Sequence, residues 1–217
     1  MKVSELLLDY DLYPRERIEP FNVSQMMEAL KAGVELPPIV IDRKSQRVVD
    51  GFHRVRAYQK LYGLDADIPV ELKSYKSDAD MFADAVRLNS KHGRPLSTYD
   101  RVRCIAKAEL FKLEPEVISS MLNMTLETIA EMKAKRFATY KMEPFALKRT
   151  TMHLAGKELS DEEADYNVKA GGMHQTFYIN QVIAMLEADT VNWDNPKVTN
   201  ALKRLYDLLD KAMTVRA

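Results

Sequence analysis

One cysteine, Cys104, is the whole thiol inventory of this 217-residue chain. No internal disulfide framework can form, and a lone thiol suits a reducing compartment, with the cytoplasm as the expected location. No apolar run approaches the roughly 20 residues that a helix needs to cross a bilayer, so no membrane is expected as a partner. The opening Met1-Lys2-Val3-Ser4-Glu5 lacks the apolar stretch of a secretory signal. Net charge is missing too: 32 basic residues stand against 32 acidic ones, so the whole chain has no electrostatic pull toward nucleic acid. There is no Gly-x-x-x-x-Gly-Lys-Ser/Thr loop, which excludes a Walker-type phosphate site. Internal repeats and low-complexity segments are absent as well.

What the chain does have is 46% apolar residues, enough for a real core in one large or two small domains. Its charge is also unevenly placed. Residues 132–150 carry six bases against Glu143, and residues 43–60 carry six against Asp50, whereas 158–165 hold five acids and no base. Such clusters can mark a binding face on a neutral protein, although a solvated helix face has the same composition.

Residues 1–90 alternate between strand and helix signals. A helix is expected over 23–32, with Asn22 as N-cap and Gly33 as its stop. A strand is expected from Pro37 to Ile41, and Val48-Val49 returns beside it after the turn at 43–46. A helix over 53–62 ends at Gly63, a short strand follows at 68–72, and another helix covers 77–90. From Ser97 onward strand signals nearly vanish. Residues 161–172 are polar, end in Gly171-Gly172, and read as a loop or hinge. Helices are expected over 176–188 and from Pro196. The second carries the apolar stripe Val198, Leu202, Leu205, Leu209, a pattern more often domain core than dimer seam. The fold class is therefore α+β. A small α/β domain over 1–93 precedes an all-α helix-turn-helix domain over 94–150. A helical region over 151–217 follows, a candidate for homodimer contact.

The most informative stretch is Asp50-Gly51-Phe52-His53-Arg54-Val55-Arg56-Ala57-Tyr58. A strand runs into Asp-Gly, and a helix begins on His-Arg. Glycine permits positive φ and close backbone approach. The first helical turn offers free N–H groups at a positive dipole end. With His53, Arg54 and Arg56 beside them, these are the parts of a phosphate-binding corner. An ordinary strand–turn–helix has the same pattern.

This box resembles the phosphate-binding box of the ParB/sulfiredoxin superfamily. It matches the sulfiredoxin spacing except at the catalytic cysteine, which is Phe52 here, and that departure argues against sulfiredoxin activity. Two further segments resemble ParB N-terminal domains in the right order: Tyr13-Pro14-Arg15 with Pro37-Pro38-Ile39-Val40-Ile41, and Arg87-Leu88-Asn89-Ser90-Lys91-His92-Gly93. The resemblance implies a nucleotide triphosphate, CTP or another, held by Gly51, His53, Arg54, Arg56 and Asn89, with Asn89 on a Mg²⁺ ion. The family's neighbouring glutamate is Leu88 here and its arginine is Lys91 or His92, which puts hydrolysis in doubt.

Residues 115–136 read as two short helices around Asn123-Met124, with Thr125 as N-cap of the second: a helix-turn-helix pattern. Thr125, Thr128, Lys133, Lys135 and Arg136 are the expected DNA contacts, while Glu127 and Glu131 on the same helix would repel phosphates. The leading expectation is a ParB-like DNA-binding protein acting in partition or transcriptional regulation. A second is a superfamily enzyme, a nucleotide-dependent kinase of small hydroxyl compounds such as serine, with Asp50 as general base and Glu16 as a second acid. A nuclease ranks last, since no clustered carboxylates suggest a two-metal site.

Overall fold

A computed structural model gives the fold of residues 1–91 and 94–216. The side chain of Lys91 and all of His92 and Gly93, where the family arginine was sought, lie outside the described residues.

Three strands form the N-terminal sheet: β1 (Ile39–Asp42), β2 (Val48–Asp50) and β3 (Val70–Lys73), in the order β2-β1-β3. β1 runs antiparallel to β2 and parallel to β3. A parallel pair needs a crossover, and helix α2 (Phe52–Tyr62) supplies it. All four residues of β1 are buried. Ile39 and Ile41 join Phe52, Val55 and Tyr58 of α2 in one core, while Val40 and Val49 join a second core on the other face. The period-two alternation of a strand divides β1 between these two cores.

Helix α1 spans Pro20–Lys31 and packs on α2. It opens three residues earlier than expected, because Pro20 takes the first helical position with Glu19 as N-cap. Proline has no N–H to lose there. Asn22 is therefore inside the first turn and is not the cap. Helix α3 (Asp78–Lys91) covers the sheet face bearing Val40 and Val49.

α4 (Thr98–Leu110) starts from a capping box in which Ser97 Oγ accepts from the Asp100 N–H and Asp100 accepts from the Ser97 N–H. α5 (Pro115–Leu122) ends on Asn123 in the left-handed conformation, φ 53° and ψ 51°. α6 (Leu126–Arg136) follows, capped by Thr125. Phe82, Val86, Ile105, Ile118, Met121 and Ile129 share a core with Val40 and Val49. One core therefore spans the expected boundary at residue 93.

Two elements after Ser97 differ from the sequence expectation. A hairpin, β4 (Phe137–Tyr140) with β5 (Glu143–Ala146), leaves α6 without a linker. Its turn residues Lys141 and Met142 have φ of 51° and 66°. Paired positive φ is the mark of a type I′ turn, normally written Asn-Gly, so Lys-Met gives no sequence signal. Residues 161–169, expected as loop, form helix α7 (Asp161–Lys169) with a Ser160/Glu163 capping box. The fully buried Asn167 fastens it: Nδ2 donates to Ala146 O (3.0 Å), and Oδ1 accepts from the Lys148 N–H (2.8 Å) and from Thr151 Oγ1 (2.5 Å).

The backbone divides into two compact units, Met1–Gly172 and Met173–Ala217. The second comprises α8 (Gln175–Glu187) and α9 (Pro196–Arg216). None of the α8 residues is buried, and Leu205, Leu208, Leu209 and Met213 of α9 are exposed. Among the described residues, no helix is long and apolar enough to cross a membrane.

Candidate phosphate-binding cleft

The strand–glycine–helix corner opens into a cleft of about 560 Å³ in the first unit. The cleft is lined by the corner itself, Asp50 to Arg54, by the apolar side chains of Met26, Leu36, Pro37, Pro38, Val40 and Leu88, and by Tyr13, Arg15, Asn22, Glu71, Asn89 and Arg94.

Gly51 caps α2 with φ 108° and ψ 20°, a conformation other residues rarely adopt. Space also requires glycine. A Cβ there would lie 3.0 Å from Arg54 Nε and Nη2 and 3.1 Å from Ile39 Cγ1.

Arg54 reaches back across the corner. Nη2 donates to Asp50 Oδ2 at 2.6 Å, and Nη1 donates to Pro37 O at 2.8 Å and Pro38 O at 3.0 Å. Its side chain is only 11% exposed. The other Asp50 oxygen accepts from Asn89 Nδ2 at 3.3 Å, and the same amide donates to Ala85 O at 2.9 Å. Asn89 thus presents Oδ1 as its remaining acceptor.

His53 holds the rim. Its Nε2 accepts from the Glu19 N–H at 3.1 Å. Its Nδ1 lies 3.5 Å from Tyr13 Oη, which donates to Arg17 O at 3.3 Å. The ring is therefore neutral with its proton on Nδ1. Burial, then the nearby Arg15, pushes its pKa below the ordinary value. Arg15 donates to Arg94 O (2.5 Å) and Pro95 O (3.3 Å), which ties the rim to the segment entering α4.

Among the expected nucleotide contacts, Gly51, His53, Arg54 and Asn89 come together in the cleft. Arg56 is not among its lining residues; it donates to Gln59 Oε1 and Tyr10 Oη on another face of α2. Glu16 also stands apart from Asp50, paired with Lys148 Nζ at 2.7 Å. Phe52, at the sulfiredoxin cysteine position, is buried and stacks on Tyr13 with ring centroids 4.4 Å apart. Arg15 and Arg94 received no role from the sequence. Their signal was faint: an arginine after Tyr-Pro, and another near the start of α4.

No cluster of three His, Cys, Asp or Glu side chains able to hold a metal occurs among the described residues. Magnesium does not require one, since it commonly takes one or two protein oxygens and completes its shell with phosphate and water. Asn89 Oδ1 fits that donor set.

The α5–α6 pair is less basic than its sequence suggested. Lys133 pairs with Glu109 of α4, and Lys135 pairs with Glu131 at 3.2 Å. Arg136 is half-buried, and burial together with Arg149 lowers its pKa. Thr125 Oγ1 accepts from the Thr128 N–H (3.2 Å) and shares a hydrogen bond with Thr128 Oγ1 (2.8 Å). Glu127 and Glu131 are exposed on the same helix.

No protein-family model matches the chain. It is 34% identical over 108 residues to the transcriptional regulator NovG of Streptomyces niveus, an alignment covering 48% of this chain and 32% of that protein. It is 36% identical over 80 residues to a possible regulatory protein of the streptomycin biosynthesis operon of Streptomyces griseus, covering 37% and 22%. The chain thus spans about a third or less of the curated relatives it matches. Among solved structures, it is similar to the C-terminally truncated chromosome-partitioning protein ParB from Caulobacter crescentus complexed to the centromeric parS site. There the identity is 16% and the TM-score 0.44, over 77% of this chain and 76% of that one. It is also similar to a Pnob8-like ParB-N domain, with 15% identity and a TM-score of 0.41 over 67% and 55% of the two chains. A further similar structure is the truncated Caulobacter ParB complexed with CTP-γ-S, with 17% identity and a TM-score of 0.37 over 77% and 82%.

Proposed function

We propose that the chain is a ParB-like, DNA-binding regulator of transcription that takes a nucleotide of the CTP type, with Mg²⁺, in the cleft. The observation that carries this reading is the corner itself. A left-handed Gly51 heads α2 inside a cleft whose lining combines Arg15 and Arg94 with apolar side chains. The α2 N-terminus and the two guanidinium groups receive the phosphates. Asn89 Oδ1 holds the ion, and Met26, Leu36, Pro37 and Pro38 cover the base. Arg54 acts indirectly, by fixing Asp50 and the 37–38 backbone.

DNA contact falls to α5–α6, with Thr125, Thr128 and Lys135 on the exposed side and Lys133 and Arg136 toward the backbone. Few cations there are unpaired, so affinity is low and its dependence on salt shallow. The regulators that are 34% and 36% identical to this chain over 108 and 80 residues support a role in transcription. The apolar stripe of α9 supports a homodimer. A kinase reading lacks such support: both Asp50 oxygens already accept hydrogen bonds, and the Glu16 carboxylate is paired elsewhere.

Isothermal titration with CTP, ATP and GTP, each with Mg²⁺, tests the reading. Binding that Arg15→Ala abolishes in an otherwise folded protein is the expected result. Heat-silent titrations with all three would remove the nucleotide from the account.

A further inference from the structure

Lys148 is the only buried cation among the described residues, 5% exposed. An ammonium group in such a place requires a full set of partners, and it has them. Nζ lies 2.7 Å from Glu16 Oε1, and it donates to Val168 O (2.7 Å) and Ala170 O (2.8 Å). It also lies 5.4 Å from the centroid of the Tyr99 ring. Three N–H donors therefore meet three acceptors.

Those acceptors belong to two separate places. Val168 and Ala170 lie at the C-terminal end of α7, where carbonyls lack helical partners and the dipole favours a cation. The next residue, Gly171, accepts from Thr150 Oγ1 at 2.6 Å. Residues 168–171 are also where the chain leaves the first unit. Glu16, by contrast, belongs to the cleft rim, between Arg15 of the lining and the Glu19 N–H bonded to His53. Its own N–H donates to Asp100 Oδ1 at 2.7 Å.

We propose that Lys148 is a positioning residue that couples the cleft rim, residues 13–19, to the exit segment, residues 168–171, through its ion pair with Glu16. Anything that reorders the rim then alters the hold on the exit segment, and the coupling is reciprocal. Its use by a ligand rests on the nucleotide reading above; the coupling itself does not.

Amide hydrogen exchange on the full chain tests both parts. The reporters are the Glu16 and Glu19 N–H groups at the rim and the Ala170 N–H, bonded to Tyr166 O at 2.7 Å, at the exit. Without ligand, Glu16→Ala is expected to speed exchange at Ala170 roughly tenfold, the order of one lost charge-assisted hydrogen bond. Lys148→Met is expected to do the same at Glu16 and Glu19. Glu16 is part-exposed, so its variant remains informative if Lys148→Met fails to fold. With wild type, CTP and Mg²⁺ are expected to change exchange at both places, and Glu16→Ala is expected to remove the change at Ala170 alone. Ligand-free effects confined to each mutation's own segment would overturn the coupling. A CTP response at Ala170 that survives Glu16→Ala would do the same. Reciprocal ligand-free effects with no response to CTP would uphold the coupling and remove the nucleotide.

Discussion

Arg54 and Asp50 close on each other one helical turn apart, Nη2 to Oδ2 at 2.6 Å, and the same guanidinium binds the carbonyls of Pro37 and Pro38. The box arginine is thus a brace between the strand entry and the corner. Arg54→Ala is expected to destabilise the protein by about 2–3 kcal/mol, because it strands a part-buried carboxylate and two carbonyls. Arg54→Lys recovers only part of this, since a point charge cannot replace the planar fork. Urea unfolding reads both values. A denaturation midpoint unmoved by Arg54→Ala would mean the brace is idle.

Gly51 faces two obstacles to substitution. Its φ of 108° strains any side-chain-bearing residue, and a Cβ would press on Arg54 and Ile39. Gly51→Ala is expected to cost about 2 kcal/mol or more, above the roughly 1–2 kcal/mol of left-handed strain alone. The same urea experiment checks it, with Gly33→Ala as the control. Gly33 has φ 79° but open space around its Cβ, so its loss should be smaller.

His53 makes stability depend on pH in a definite direction. Its folded-state pKa lies below the unfolded value, so the unfolded chain binds the proton more readily. Stability is fully present above the unfolded pKa and falls as pH drops through the lower folded one. Burial, Arg15 and Arg94 disfavour the proton and together outweigh Glu19 and Asp50, which favour it. Protonation at Nε2 would also forfeit the bond from the Glu19 N–H. Thermal melts between pH 7.5 and pH 5 are expected to show a loss of melting temperature that His53→Gln reduces. An identical pH slope in the two proteins would refute the assignment.

Cys104 should be silent toward alkylation. It is buried, its Sγ donates to Pro14 O at 3.4 Å, and burial pushes its thiol pKa up to about 12. Only thiolate reacts, so iodoacetamide at pH 8 is expected to label the chain at the rate of unfolding. Labelling as fast as a free thiol would show that the segment beneath the rim opens.

Much of the first unit was legible in the sequence, for local reasons. The β1–β2 turn, the corner at Gly51 and the stop at Gly63 each follow from residues within a few positions. The Asn123 turn between α5 and α6 was readable in the same way, through an asparagine able to adopt positive φ. The hairpin after α6 was not, because Lys141-Met142 lacks the usual turn chemistry and β4 gains its place from Gly156, Lys157 and Leu159. α7 was obscured by its polarity, although Ser160-Asp161-Glu162-Glu163 spells a capping box. At the site, the glycine and the residues beside it were readable, but the partners of Arg54 were not. The identities of Pro37 and Pro38 say nothing of carbonyls aimed at an arginine 17 and 16 residues away. Arg56 shows the converse: it follows Arg54 by two residues, and helical geometry turns it away from the cleft.

With a nucleotide in the cleft and DNA on α5–α6, as proposed above, occupancy of the cleft is expected to change DNA binding. The direct measurement is fluorescence anisotropy of duplex DNA from the region flanking the protein's own coding sequence, titrated with and without CTP and Mg²⁺. The account predicts that CTP changes DNA affinity at least roughly fivefold, the lower edge of ordinary allosteric coupling, and that Arg15→Ala removes the change while leaving nucleotide-free affinity intact. Equal affinity with and without CTP, in a protein shown by calorimetry to be saturated, would contradict it.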